Sequence, residues 1–173
     1  RFSAQSCDAV LGADDSDRVL AELERSNLFL IALDGRGDWY RYHHLFRELL
    51  LMELTSTSPE LVPRLHRLAA DWFHANGLVE DALSHAAEVG EHELSRLLAA
   101  EHLNLIRAGS IDVLMRYLDM LSDAELERRP VAAAAGAIVA GSQGQPTQKR
   151  QRLEQLARRE RGPARRFLFG RLQ

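Results

Sequence analysis

The chain has 173 residues, enough for one or two small domains burying about 70% of their unfolded surface, and its 46% hydrophobic and 27% charged content is that of a folded globular protein. The net charge of −3 hides an asymmetry along the chain. Cys7 is the only cysteine, which excludes an internal disulfide; the longest apolar run, Val131 to Ala140, is too short for a bilayer, and no signal-peptide pattern opens at Arg1, so a soluble, cytoplasmic chain without membrane contact is expected.

The first segment, "AQSCDAVLG", reads as a short helix, and "DSDRVLAELERS" as a second with Val19, Leu20 and Leu23 inward. Then comes "NLFLIALDGRGDWYRYHHLFRELL". An apolar run from Leu28 to Leu33 and an aromatic run from Trp39 to Tyr42 flank a turn in which Gly35 and Gly37 supply positive φ, which predicts a β-hairpin. Helix, helix, hairpin is the order of a winged helix. Three helices usually precede the hairpin and only two do so here, so the chain is expected to begin inside that domain.

From residue 43 onward the period is helical. Leu61, Leu65, Leu68 and Trp72 form one stripe, with Pro59 and Pro63 confining the helix start and Gly77 its end. Ala82, Leu83 and Ala86 mark the next helix, stopped by Gly90. Leu94, Leu97, Leu98, Leu105 and Ile106 mark another, closed by Gly109. Ser110 suits an N-cap for the helix bearing Ile111, Leu114, Leu118 and Leu121, and "SDAE" at Ser122 to Glu125 reads as a capping box. Pro130 opens an alanine-rich helix, and Leu153 and Leu156 sit on a last one.

Gly77, Gly109 and Gly144 lie 32 and 35 residues apart, near the period of helix–turn–helix repeats. In "LAADWFHANGLVEDALSHAAEVG" small Ala70 and aromatic Phe73 precede the glycine, and Ala82 and Ala86 follow it, a pattern that resembles a tetratricopeptide repeat. The expected fold is mostly α: a partial winged helix with one β-hairpin over residues 1–57, then a TPR-like α-solenoid of helical hairpins over 58–173. Charge is divided along it. Residues 1–145 carry 13 Arg against 23 Asp or Glu, a balance of −10, whereas residues 146–173 carry 9 Lys or Arg against 2 Glu, a balance of +7. That basic end suits nucleic acid, an acidic partner, or simply a solvated arginine-rich helix face.

Catalytic and metal patterns are missing from the sequence. His66, His74, His85 and His92 have no H-E-x-x-H context, and His85 and His102 read as helix-face residues. Cys7 has no C-x-x-C partner, and no G-x-S-x-G occurs. "GSQGQP" lacks the lysine of a phosphate loop, so no cofactor is expected within the chain. The reading is of a non-enzyme.

The strings "LAELERSNLFLIALDGRGDWYRYHHLFRELL" and "LHRLAADWFHANGLVEDALSHAAEVGE" resemble the middle of MalT-like regulators, LuxR-family transcription factors among the signal-transducing ATPases with numerous domains. The resemblance covers roughly residues 1–160. It implies a parent that binds or hydrolyses ATP on a nucleotide-binding domain outside this chain and reaches DNA only through a C-terminal domain also outside it. The partners implied here are that nucleotide-binding domain, and an inducer or partner protein on the helical repeats. In related immune ATPases of plants and animals, a Met-His-Asp string at the end of the winged-helix hairpin places its histidine near the β-phosphate of ADP. By that resemblance His43, in "Tyr42-His43-His44-Leu45", is the candidate nucleotide phosphate sensor, with His44 standing where the aspartate would be. An imidazole N–H can donate to a phosphate oxygen, and the competing role for His43 is to cap the strand–helix junction.

Two other readings stay open. One is a DNA-binding winged helix, although its recognition helix would carry Asp14, Asp15, Asp17, Glu22 and Glu24 against Arg18 and Arg25, opposite to what phosphate attraction requires. The other is a helical-repeat adaptor of a kinase-linked signalling protein.

Overall fold

A computed structural model describes residues 1–26, 29–34, 38–142 and 147–158. Gly35, Arg36 and Gly37 of the turn, Gly144, and much of the basic end, including Phe167 and Phe169, lie outside the described residues. The chain forms two compact units, Arg1–Val89 and Gly90–Gln173. The division expected after residue 57 follows fold type, whereas the compact division falls after Val89. Among the described residues there are ten helices and one hairpin, and no helix is long and apolar enough to cross a membrane.

In the first unit, α1 (Ala4–Leu11) starts in a reciprocal serine cap: Ser6 N–H donates to Ser3 Oγ at 3.2 Å and Ser3 N–H to Ser6 Oγ at 2.8 Å. Helix α2 (Ser16–Arg25) has Asp15 at its N-cap position, but the side-chain acceptor comes from α1, where Asp8 Oδ1 takes Ser16 N–H at 3.1 Å. Leu20 is buried as expected, Leu23 is half-buried, and Val19 points outward at 39% exposure, because α2 meets its neighbours along a narrow stripe. Strands β1 (Leu30–Ala32) and β2 (Tyr40–Tyr42) pair antiparallel in the register Leu30–Tyr42, Ile31–Arg41 and Ala32–Tyr40. On the other edge of β2, Phe2 and Tyr40 exchange two backbone hydrogen bonds of 2.8 and 2.9 Å, a bridge not foreseen from sequence.

Helix α3 (His44–Thr57) leads to α4 (Leu61–Ala75) and α5 (Val79–Val89), which form a hairpin. The expected stripe of Leu61, Leu65, Leu68 and Trp72 is only half-buried, and the interior of α4 is Ala69, Ala70 and Phe73. Ala82, Leu83 and Ala86 of α5 are completely buried, so alanines on both sides let the two backbones approach. Gly77, at φ 73°, ends α4 in a left-handed turn, with Leu78 N–H donating to Phe73 O and Gly77 N–H to His74 O. The same pattern recurs at Gly109, φ 74°, with Ser110 to Leu105 O and Gly109 to Ile106 O.

The second unit holds α6 (Glu91–Arg107), α7 (Ile111–Asp119), α8 (Asp123–Arg128), α9 (Pro130–Ser142) and α10 (Thr147–Arg158). Ser110 occupies the N-cap of α7 but makes no side-chain cap bond. The capping box at Ser122 is half present. Ser122 Oγ accepts from Glu125 N–H, while Glu125 turns away to accept from Ser95 and Arg128. Glu91, from the start of α6, takes the Ser122 N–H instead at 3.0 Å, and hydrogen bonding to Ser122, through its side chain first and its backbone second, holds the Glu91 carboxyl below its usual range.

Helix α9 is alanine-rich because it is buried on most sides: Ala132, Ala133, Ala137 and Ala140 are at most 6% exposed. A Cβ on Gly136 would stand 2.5 Å from Leu118 Cδ1 and 3.1 Å from Leu153 Cδ1, between α7 and α10. Gly136→Ala trades a helix-propensity gain of roughly 1 kcal/mol against overpacking of about 1–3 kcal/mol. Net destabilisation is expected, read as a lower urea midpoint; an unchanged midpoint would show that Leu118 yields freely.

Candidate functional site

The junction between hairpin and helix is built from aromatic contacts. Phe29, at a positive φ of 55°, presents its carbonyl to His43 N–H at 2.7 Å, and its ring stacks on Phe46 at 5.3 Å. A non-glycine residue in this conformation stores about 1–3 kcal/mol of strain, which the hydrogen bond and the stack offset. Tyr42 meets Phe46 edge-on at 5.4 Å and Phe2 at 4.8 Å. His43 is the N-cap residue of α3, yet its ring makes no cap bond there; it lies against the His44 ring at 4.4 Å. His43 is half-buried.

Helix α3 has no buried residue. Leu45, Leu49 and Met52, spaced i, i+4, i+7, are 63%, 53% and 63% exposed, and Leu50 and Leu51 are also open. Such an apolar stripe on the surface marks an interaction site more often than chance.

Behind the junction, within the first unit, a cavity of about 630 Å³ opens among α1, β2, α3, α4 and α5. At its base His66 of α4 and His85 of α5 bring their Nδ1 atoms to 3.0 Å, so one imidazole N–H donates to the bare nitrogen of the other. The His85 ring also lies nearly parallel to Phe73 at 5.3 Å. Burial, with His66 beside it, pushes His85 down to about 4, and burial likewise lowers His66. The pair is neutral at physiological pH. Burial raises the Cys7 thiol on the cavity wall, which keeps it protonated and a poor nucleophile. Arg1 clamps Asp81 through two hydrogen bonds, Nε to Oδ1 at 3.2 Å and Nη2 to Oδ2 at 2.6 Å, and lies 4.7 Å over the Trp39 ring. No group of three or more His, Cys, Asp or Glu side chains able to hold a metal comes together among the described residues.

The sequence places His43 at the junction, and the structure puts it there. It treats His66 and His85 separately, whereas the fold joins them. A signal did exist: His66 precedes Ala69 and Ala70 by three and four positions, and His85 follows Ala82 by three, so each shares a face with buried alanines of the α4–α5 interior.

Fold and junction together define a winged-helix module continued by a helical hairpin. Residues 1–62 match the MalT winged helix domain family. The chain is MalT-like: it is 33% identical over 93 residues to the HTH-type transcriptional regulator MalT of Klebsiella pneumoniae, covering 54% of this chain and 10% of that protein. It is 30% identical over 136 residues to the HTH-type transcriptional regulator MalT of Vibrio cholerae, covering 78% of this chain and 15% of that protein. The chain therefore spans 10% to 15% of the length of these curated relatives. No solved structure matches it.

The histidine pair has a consequence for stability. His85 titrates lower folded than unfolded, so between about 6.5 and about 4 the unfolded chain binds more protons and stability falls on acidification. With partial exposure discounted, a loss of about 1 kcal/mol is expected across that window. His85→Gln, which keeps a hydrogen-bonding group beside His66, should flatten the pH profile of the urea midpoint. A profile unchanged by the substitution would mean that the pair does not cause it.

Proposed function

We propose that the chain is a regulatory, non-catalytic segment of a MalT-like, LuxR-family transcriptional regulator acting in the cytoplasm. Its winged helix docks on a nucleotide-binding domain elsewhere in the same protein, and its helical hairpins, TPR-like from residue 58 onward, receive an inducer or a partner protein. The observation that carries the reading is α3: it starts at His43 and leaves Leu45, Leu49 and Met52 open along one face. His43 is anchored by its backbone, and its ring makes no hydrogen bond among the described residues, which leaves an N–H to donate to a phosphate of bound ADP.

The mechanism is a population shift. Contact through α3 and His43 holds the ADP-bound form closed, and a ligand on the helical repeats opens it only by binding the open form more tightly. The DNA-reading alternative finds little support in α2, where Arg18 is already paired with Asp15 at 2.8 Å and Glu22 at 3.2 Å. DNA is reached instead through a separate domain of the parent.

In the full-length protein, His43→Ala is expected to speed ADP release about tenfold, the equivalent of one charge-assisted hydrogen bond of roughly 1.4 kcal/mol, and to raise basal transcription. Stopped-flow release of a fluorescent ADP measures the first. Unaltered release removes His43 from the mechanism.

A further inference from the structure

The cavity behind the junction has a chemistry of its own, independent of nucleotide sensing at His43. We propose that it is a binding site for a small amphipathic carboxylate, an apolar body carrying one anionic head. Its volume of about 630 Å³ lies within the ordinary range for small-ligand sites, roughly 300–1,000 Å³. Its walls are largely apolar, with Phe2, Val10, Leu11, Leu65 and Phe73 all contributing. Leu11, 66% exposed at one side, is an apolar surface with nothing yet against it.

The charged lining selects the head group. Arg1, Arg41 and Arg47 line the cavity against a single carboxylate, Glu88. The Arg1 charge is taken up by Asp81, while Arg41 and Arg47 have no ion pair among the described residues. Arg47 lines the same cavity as His66 and His85, so a guanidinium and the histidine pair face one enclosed space. A planar carboxylate fits the guanidinium fork through two parallel hydrogen bonds.

The pair supplies the remaining polarity. In a neutral pair joined Nδ1 to Nδ1, the donor ring keeps a bare Nε2 and the acceptor ring keeps an Nε2–H, so it always offers one donor and one acceptor. A second ligand polar group, such as a hydroxyl, is thereby accommodated without a second charge. Nucleotides are disfavoured, since Glu88 opposes a second negative charge and the apolar walls would strand the sugar hydroxyls.

The chain carries its own reporters. Trp39 and Trp72 are its only tryptophans, and Trp39 stacks on Phe73, a wall of the cavity, at 6.2 Å. Titration of the 173-residue chain with 3-phenylpropanoate is expected to give a saturable change in tryptophan fluorescence. The matched alcohol, 3-phenylpropan-1-ol, should bind about tenfold more weakly, as should the acid to Arg47→Gln. Arg67→Gln, on the same helix as His66 but outside the cavity lining, should bind the acid normally. The proposal is overturned by equal affinity for acid and alcohol, by an Arg47→Gln variant that binds normally, or by no saturable change up to about 10 mM.

Discussion

The first unit is organised around Phe73. Phe73 is 2% exposed, and its ring meets Trp39 of the hairpin at 21° and His85 of α5 at 11°, with Trp72 edge-on. It can occupy that place because the facing positions are alanines: Ala69 and Ala70 beside it on α4, and Ala82 and Ala86 on α5. Filling the space between closely approaching backbones with one large ring satisfies the density of a protein interior and removes about 150–250 Å² of aromatic surface from water. The hairpin is thereby tied to the helices by stacking, in addition to the Phe2 bridge.

That arrangement commits the Trp39 ring to Trp72 and Phe73 of α4 and leaves α3 poorly covered. Phe46 turns back to Phe29 and Tyr42, and His44 and Arg47 line the cavity. The rest of α3 projects a leucine face that nothing in its own unit buries. A helix of 14 residues gains little stability from propensity alone, so α3 relies on its few contacts back to the hairpin and α4. Packing thus divides the winged helix in two: Trp39 of the hairpin holds α4, and the exit helix α3 keeps its leucines exposed.

The histidines illustrate how burial assigns different roles to one residue type. His43 and His44 sit at an accessible helix start, where an imidazole can meet an incoming anion. His66 and His85 are withdrawn between two helices, where desolvation and mutual proximity keep both neutral and let them share one proton. Arg47, reaching from α3 toward the same cavity, relates the open helix to the enclosed pair.

Much of this architecture was legible in the residue string, because it is local. Gly77 and Gly109 end helices within five residues of the carbonyls they help satisfy, Pro130 opens one, and Ser122 caps one. The hairpin, the helical period and the His43 junction were readable for the same reason. What tertiary structure decided are the meetings across distance. Phe2 pairs with Tyr40, Glu91 caps Ser122 in place of Glu125, Gly136 admits Leu118, and His66 finds His85. Exposure belongs to the same class, since Val19 and the leucines of α3 share the pattern of buried residues yet face outward. Periodicity states which side chains share a face of a helix; only the position of the neighbouring helix decides whether that face is covered.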